Sequence, residues 1–131
     1  MRYLLDTDTC IGVLRRQPDI VRRLTQVPPA ECAISMVTAF ELYCGLMKAR
    51  KPSDERHKVE RFVAAIAELP FDHASAEAAA NVRATLERQG NVIGPYDLLI
   101  AGQALARGLT LVTSNVREFQ RVSGLILESW L

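Results

Sequence analysis

The sequence predicts an α/β fold, three layers deep, with a mostly parallel sheet enclosed by helices. Three observations carry that reading. Short apolar runs at residues 3–5, 32–34 and 109–112 have the length and saturation of strands buried on both faces. Segments of helical period separate them, and strands that alternate with helices build parallel sheets through crossovers. The 131 residues, 49% of them apolar, suffice for one core of the commonest domain size. No repeat, low-complexity stretch or linker divides them, so residues 1–131 are expected to form a single domain.

Taken in order, Tyr3-Leu4-Leu5 is a buried strand that ends on Asp6. Residues 9–15 and 18–26 read as two short helices, the first capped by Thr7 or Thr9, and Val27-Pro28-Pro29 breaks the second. Cys32-Ala33-Ile34 is the second strand. Ser35 then caps a helix over residues 37–47, with Val37, Phe40, Leu42, Cys44 and Met47 on its buried side. A basic link at residues 49–52 leads to a helix over 53–68 that turns Val59, Phe62, Val63 and Ile66 inward. Leu69-Pro70-Phe71 is a strand-like piece suited to a sheet edge, because proline has no N–H to give a ladder. The alanine-rich stretch 74–88 is helical and closes at Gly90. Gly94-Pro95 starts a helix that runs to Arg107 and stops at Gly108. Residues 109–112 form the third central strand, 116–121 a short helix and 125–127 the last strand.

Sixteen Lys and Arg face fifteen Asp and Glu, a formal charge of +1 that speaks against a bulk-basic nucleic-acid binder. No stretch approaches the roughly 18 uncharged apolar residues that span a bilayer; the best, residues 98–106, lies between Asp97 and Arg107. The N-terminus meets Asp6 at once, unlike a signal peptide. Cys10, Cys32 and Cys44 are widely spaced among apolar neighbours and read as reduced thiols. With only His57 and His73 to supply imidazole, no structural zinc site is expected. The reading is a cytoplasmic protein with no membrane contact.

In open parallel sheets, ligands bind beyond the carboxyl ends of the strands. Strand one delivers Asp6-Thr7-Asp8 to that edge; the third central strand delivers Thr113-Ser114-Asn115, with Glu118 one helical turn later. Glu41 lies in the helix after the second strand, and Asp97 in the first turn after Gly94-Pro95. Singly, each acid has a structural reading: Asp97 complements a helix dipole, and Asp6 caps backbone amides. Glu41 resists one, because it stands in an otherwise uncharged run with no Lys or Arg between Arg23 and Lys48. Carboxylates gathered without a cation repel one another, and a bound divalent metal removes that penalty. Oxygen-only ligands suit Mg²⁺ or Mn²⁺, and such a site on an α/β scaffold most commonly handles phosphate esters.

Asp6-Thr7-Asp8-Thr9-Cys10-Ile11, Glu41-Leu42-Tyr43-Cys44-Gly45, Ile93-Gly94-Pro95-Tyr96-Asp97-Leu98-Leu99-Ile100-Ala101-Gly102 and Val112-Thr113-Ser114-Asn115-Val116-Arg117-Glu118-Phe119 stand in this order. Together they resemble the PIN-domain ribonucleases, in particular the VapC toxins of bacterial toxin–antitoxin pairs. The similarity spans the chain and includes Val122-Ser123-Gly124-Leu125 and Glu128-Ser129-Trp130. It implies a sheet of about five parallel strands in the order 3-2-1-4-5 and a Mg²⁺- or Mn²⁺-dependent endoribonuclease binding one or two ions. By position, Asp6, Glu41, Asp97 and Glu118 match the family's acidic quartet, with Asp6 and Asp97 the firmest metal ligands and Thr7, Thr113, Ser114 and Asn115 in support. Asp8 departs from the family's usual Asn; it adds a fifth negative charge or caps the first helix. Asn115 is neutral where some members carry an acid. The resemblance further implies a tRNA substrate, in the nearest branch initiator tRNA cut in its anticodon stem-loop. It also implies a homodimer and a VapB-type antitoxin whose C-terminal segment lies over the site, with promoter DNA bound only through the antitoxin.

The basic clusters, Arg15, Arg16, Arg22 and Arg23, then Lys48 to Arg61, are diluted by acids and count as phosphate contacts only if they flank the acidic pocket. Tyr96 beside Asp97 is either a base-stacking group or an ordinary rim tyrosine. Two rival functions stand beside the nuclease. A haloacid-dehalogenase-like phosphatase would use Asp6-Thr7-Asp8 and Thr113-Ser114, but it needs a later lysine and further acids. No lysine follows Lys58, and only Glu118 and Glu128 follow Ser114. A catalytically weak PIN domain serving as an interaction module is the other rival, and the full set of four acids argues against it.

Overall fold

The computed structural model describes residues 1–131. Its elements run β1 (Tyr3–Leu5), α1 (Thr7–Leu14), α2 (Pro18–Gln26), a 3-10 turn (Pro29–Glu31), β2 (Cys32–Ser35), α3 (Met36–Met47), α4 (Pro52–Ala65) and β3 (Ala67–Leu69). There follow α5 (His73–Arg88), α6 (Pro95–Arg107), β4 (Thr110–Val112), α7 (Val116–Phe119) and β5 (Leu127–Glu128). The strands form one parallel sheet in the order β3-β2-β1-β4-β5, as the resemblance implies. No helix is long and apolar enough to cross a membrane.

Period-two alternation splits the core into two clusters, one on each face of the sheet. Leu4, Ala33 and Leu111 point toward α5 and α6, where Val82, Leu86, Ile100, Ala101 and Ala104 cover them. Tyr3, Leu5, Cys32, Ile34 and Val112 point the other way, against Cys10, Ile20, Leu42 and Val59 of α1 to α4. The tail joins this second cluster: Trp130 meets Tyr3 edge-on at 5.4 Å. Arg23 Nη2 and Trp130 Nε1 both donate to Glu128 Oε1, at 2.7 and 3.0 Å. All three cysteines are free, Cys10 and Cys32 buried and Cys44 half-buried.

Several local expectations are corrected. α1 is capped by Asp6, whose Oδ1 accepts from the Thr9 amide at 2.8 Å, and neither Thr7 nor Thr9 is the cap. α4 ends at Ala65 because Ile66 is already extended, and β3 is Ala67–Leu69, paired with β2 through Ile34↔Glu68. It is the edge strand expected, but Pro70 follows it. The carbonyls of Leu69 and Pro70 accept instead from buried Gln103, at 3.2 and 3.0 Å. The last helix stops at Phe119, and Gly124, at φ +82, turns the chain so that pairing with β4 begins at Leu127. Ser35 does cap α3, accepting from the Val37 amide at 3.0 Å. The inward face of that helix, however, is Thr38, Ala39, Leu42 and Leu46. Phe40 and Met47 are exposed, because a helix apolar almost all round carries no signal of which face the sheet will cover.

The tightest contact between helices is that of α5 with α6. A Cβ at Gly102 would stand 2.5 Å from Ala79 Cα and 2.6 Å from its nitrogen, so the two helices meet through their backbones. Gly102→Ala is expected to destabilise the fold by about 1–3 kcal/mol in urea or thermal unfolding. Gly45→Ala, on an exposed face of α3 with nothing within 4 Å, is expected to be neutral or to gain up to about 1 kcal/mol. Equal melting temperatures for the two variants would contradict this packing.

Candidate active site

β1 is bonded to β2 on one side and to β4 on the other, and the connections from β1 and β4 diverge, so a crevice opens at their carboxyl ends. The register Leu5↔Val112 places the next residues, Asp6 and Thr113, side by side at that opening. Asp6 is held hard against the sheet: its amide donates to Val112 O at 2.9 Å. Thr9 Oγ1 donates to the same carbonyl at 3.1 Å. Asp6 is 2% exposed and Thr113 is fully buried.

The other acids arrive on helices. Thr7, the first residue of α1, donates its hydroxyl to Glu41 Oε1 at 2.6 Å and shares a hydrogen bond with the Thr38 hydroxyl at 3.1 Å. Thr38 and Glu41 lie one turn apart on α3, so this face of the helix turns toward α1. Glu118 joins the last wall: Oε1 accepts from the Gly94 amide at 2.9 Å, and Oε2 from Asn115 Nδ2 at 2.6 Å. Gly94 is the residue on which α6 begins, so Glu118 anchors the helix that carries Asp97. A Cβ on Gly94 would lie 3.7 Å from both Asp97 Oδ2 and Glu118 Oε1, which shows the two carboxylates converging on that turn. Asn115 is fixed in turn by its amide, which donates to Thr113 Oγ1 at 2.9 Å.

Asp6, Glu41, Asp97 and Glu118 are therefore gathered at one sheet edge, with Thr7, Thr113 and Asn115 between them. Ser114 is exposed at the rim and bonds to none of the acids. Asp8 is exposed in the first turn of α1, which decides against its capping role; its charge acts on both Asp6 and Asp97. Thr38, the Gly94 amide and the Thr9 hydroxyl were not anticipated as supports. Only Thr38 had a readable signal, its position three residues before Glu41.

None of the molecule's ion pairs includes any of the four acids. Burial pushes the Asp6 carboxyl above its ordinary value, opposed by hydrogen bonds from Thr113 and Thr9 and reinforced by Asp8. Asp97 is pushed up to about 7, first by burial and then by the charges of Glu118, Asp6, Glu41 and Asp8. These donors are carboxylate, hydroxyl and amide oxygens with uncompensated negative charge, the chemistry that a hard divalent cation takes. As the side chains stand, no three of the acids close around a common point; Glu41 and Glu118 are engaged by Thr7, Gly94 and Asn115.

Beside the acids, a groove of about 1090 Å³ runs between α1, α3 and α4, with Glu41 in its wall. Arg15, Arg16, Arg50, Lys51 and Arg61 line it, and none of them has a carboxylate partner. Arg22, Arg23, Arg56 and Lys58 are instead paired with Asp19, Glu128, Glu60 and Glu55.

The PIN domain family model matches residues 3–125. A tRNA(fMet)-specific endonuclease VapC from Shigella flexneri is 41% identical over 130 residues, covering 99% of this chain and 98% of the relative. The protein of the same description from Salmonella typhimurium is 37% identical with the same coverage. Among solved structures, DNA-bound VapBC from Salmonella typhimurium superposes with a TM-score of 0.95 at 37% identity, covering 100% of this chain and 99% of the other. VapBC2 from Rickettsia felis, bound to a promoter DNA fragment, gives 0.92 at 33%, with both chains fully covered.

The raised Asp97 value has a consequence for stability. The folded chain holds this proton up to about pH 7, whereas the unfolded chain releases it near the ordinary 3.8. Between those values the folded state binds the extra proton, so stability falls as pH rises from about 4 to about 7. Asp97→Asn removes that slope. In chelator, its melting temperature should gain on wild type across this window and lead by about 3–8 °C above pH 7, on the order of 1–2 kcal/mol after allowing for solvent access. A variant that tracks wild type at every pH would contradict the charge crowding.

Proposed function

The chain belongs to the PIN-domain family, and on that footing we propose that it is the ribonuclease toxin of a VapBC-type toxin–antitoxin pair, hydrolysing phosphodiester bonds in tRNA with Mg²⁺ or Mn²⁺. One observation carries the reading: four carboxylates gather along the carboxyl edge of the sheet, near enough for their charges to act on Asp97, and no basic side chain pairs with them. Such a cluster is unfavourable by itself and becomes favourable around divalent ions.

Asp6, Asp97, Glu118 and Glu41 would hold the metal, one ion or two. When bound, the metal supplies a Lewis acid and lowers the pKa of a water that attacks the phosphodiester. The chain's own groups orient the acids. Thr113 and Thr9 fix Asp6, Thr7 fixes Glu41, and Asn115 with the Gly94 amide fixes Glu118. The Ser114 hydroxyl, exposed at the rim, is free to meet a phosphate oxygen. The unpaired cations of the groove beside Glu41 supply the phosphate attraction that the net charge conceals; setting the four acids aside changes +1 to +5 on the remaining residues.

The substrate proposed is initiator tRNA, cut in the anticodon stem-loop, since two relatives are named tRNA(fMet)-specific endonucleases. The partner proposed is a VapB-type antitoxin whose C-terminal segment covers the site. The toxin would act as a cytoplasmic homodimer, with promoter DNA bound through the antitoxin; two similar VapBC complexes have been solved with DNA.

Purified protein with Mn²⁺ or Mg²⁺ is expected to cut tRNA(fMet) at a discrete position and to lose the activity in EDTA. Asp6→Ala and Asp97→Asn should each lower the rate by about a hundredfold or more. Cleavage that persists in chelator, or in both variants at the wild-type rate, would rule the mechanism out. Binding gives a second readout. Mn²⁺ at a hundred times its Kd should stabilise wild type by about 2.7 kcal/mol in thermal unfolding, and Asp6→Ala should abolish most of that gain.

A further inference from the structure

Of the chain's one Trp, three Tyr and four Phe, only Phe40 and Tyr96 are exposed, at 50% and 44%. They are also in contact, with ring centroids 5.5 Å apart and planes tilted by 58°. Each immediately precedes a site acid, Phe40 before Glu41 on α3 and Tyr96 before Asp97 on α6. The chain has thus left two aromatic side chains in water at one place, each one residue along its helix from an acid of the candidate site. Neither contributes to either core cluster. Contiguous exposed apolar surface marks an interaction site, and its position next to the candidate acids favours the ligand on which they act.

We propose that Phe40 and Tyr96 form a stacking platform for an RNA base next to the scissile phosphate, and so help to select the bond that is cut. The inference rests on the ribonuclease reading above and adds a specificity element to it. The acids and the cationic groove recognise only phosphate and metal, which every RNA position offers alike. A base splayed from a loop presents a π face, and stacking on an aromatic side chain is worth about 1–3 kcal/mol. Unpaired loop bases can reach such a platform, whereas bases inside a duplex cannot. The arrangement therefore favours cleavage at loops over cleavage within stems. The neighbouring exposed Met47, further along α3, lies outside the platform.

The test uses the full chain with Mn²⁺ and a tRNA(fMet) anticodon stem-loop carrying 2-aminopurine in the loop. Phe40→Ala and Tyr96→Ala should each raise KM about tenfold with a much smaller change in kcat, while Tyr96→Phe restores the KM and Met47→Ala leaves it at the wild-type value. Melting temperatures should stay within about 2 °C of wild type, since both rings are half in water. In EDTA, where nothing is cut, wild type should change the 2-aminopurine fluorescence on binding, and the two alanine variants should not. Cleavage by wild type with unchanged KM and fluorescence in both alanine variants overturns the platform alone. A fluorescence change without any cleavage upholds the platform and overturns the nuclease reading. A shift from dimer to monomer in sedimentation of Phe40→Ala or Tyr96→Ala assigns the rings to a second copy of the chain and overturns the platform.

Discussion

The parallel register between β1 and β4 is the constraint on which the rest of the molecule hangs. With Leu5 opposite Val112, the two strands end together, and Asp6 and Thr113 emerge as neighbours. The Val112 carbonyl then accepts both the Asp6 amide and the Thr9 hydroxyl, so the first turn of α1 is tied to a strand more than a hundred residues away. With α1 set in that direction, its first residue, Thr7, meets Glu41 on α3. A slip of either strand by one residue would turn its faces over and move Leu5 or Val112 out of the core they share. The apolar pattern that stabilises the sheet therefore also aligns the site.

The site works against the fold that holds it. Four carboxylates face one crevice without a basic partner, and Asp97 responds with a carboxyl that keeps its proton to about pH 7. The supports given to the acids are neutral: amides of Thr9 and Gly94, the hydroxyl of Thr7, the side-chain amide of Asn115. Neutral donors hold a carboxylate in place without cancelling its charge, which leaves that charge available to a cation. An arginine at any of these places would have stabilised the apoprotein and spoiled the site. Stability and chemistry also draw on different side chains, since none of the molecule's ion pairs includes one of the four acids.

Much of this is readable in the sequence, and the departures fall where neighbouring elements decide. β1 and the central strands are strongly apolar, the helices 18–26 and 95–107 are bounded by Pro or Gly, and all stand within one residue of where the pattern places them. The two short outer strands were displaced by two residues, because their pairing depends on β2 and β4 more than on their own composition. The facing of α3 departs as well: its sequence is apolar in all directions, so only its neighbours decide that Leu42 goes in and Phe40 stays out. Among the candidate site residues, Glu41 was legible because a charge in an otherwise uncharged run needs a reason, and Asp6, Asp97 and Glu118 through their places at the sheet edge and the resemblance to PIN-domain ribonucleases. Their supports were not, because the Gly94 amide and the Thr9 hydroxyl have no distinguishing sequence context.

The sequence by itself determined the fold class and the edge of the sheet where polar groups collect, since these follow from period and punctuation, and its resemblance to the PIN-domain ribonucleases singled out four acids there. It was silent on how each acid is held, on which cations remain unpaired and on the meeting of Phe40 with Tyr96 across two helices. Those features join residues distant in the chain and arise from strand register and helix packing. Local composition constrains which side chains are available; only the closed tertiary structure decides which of them touch.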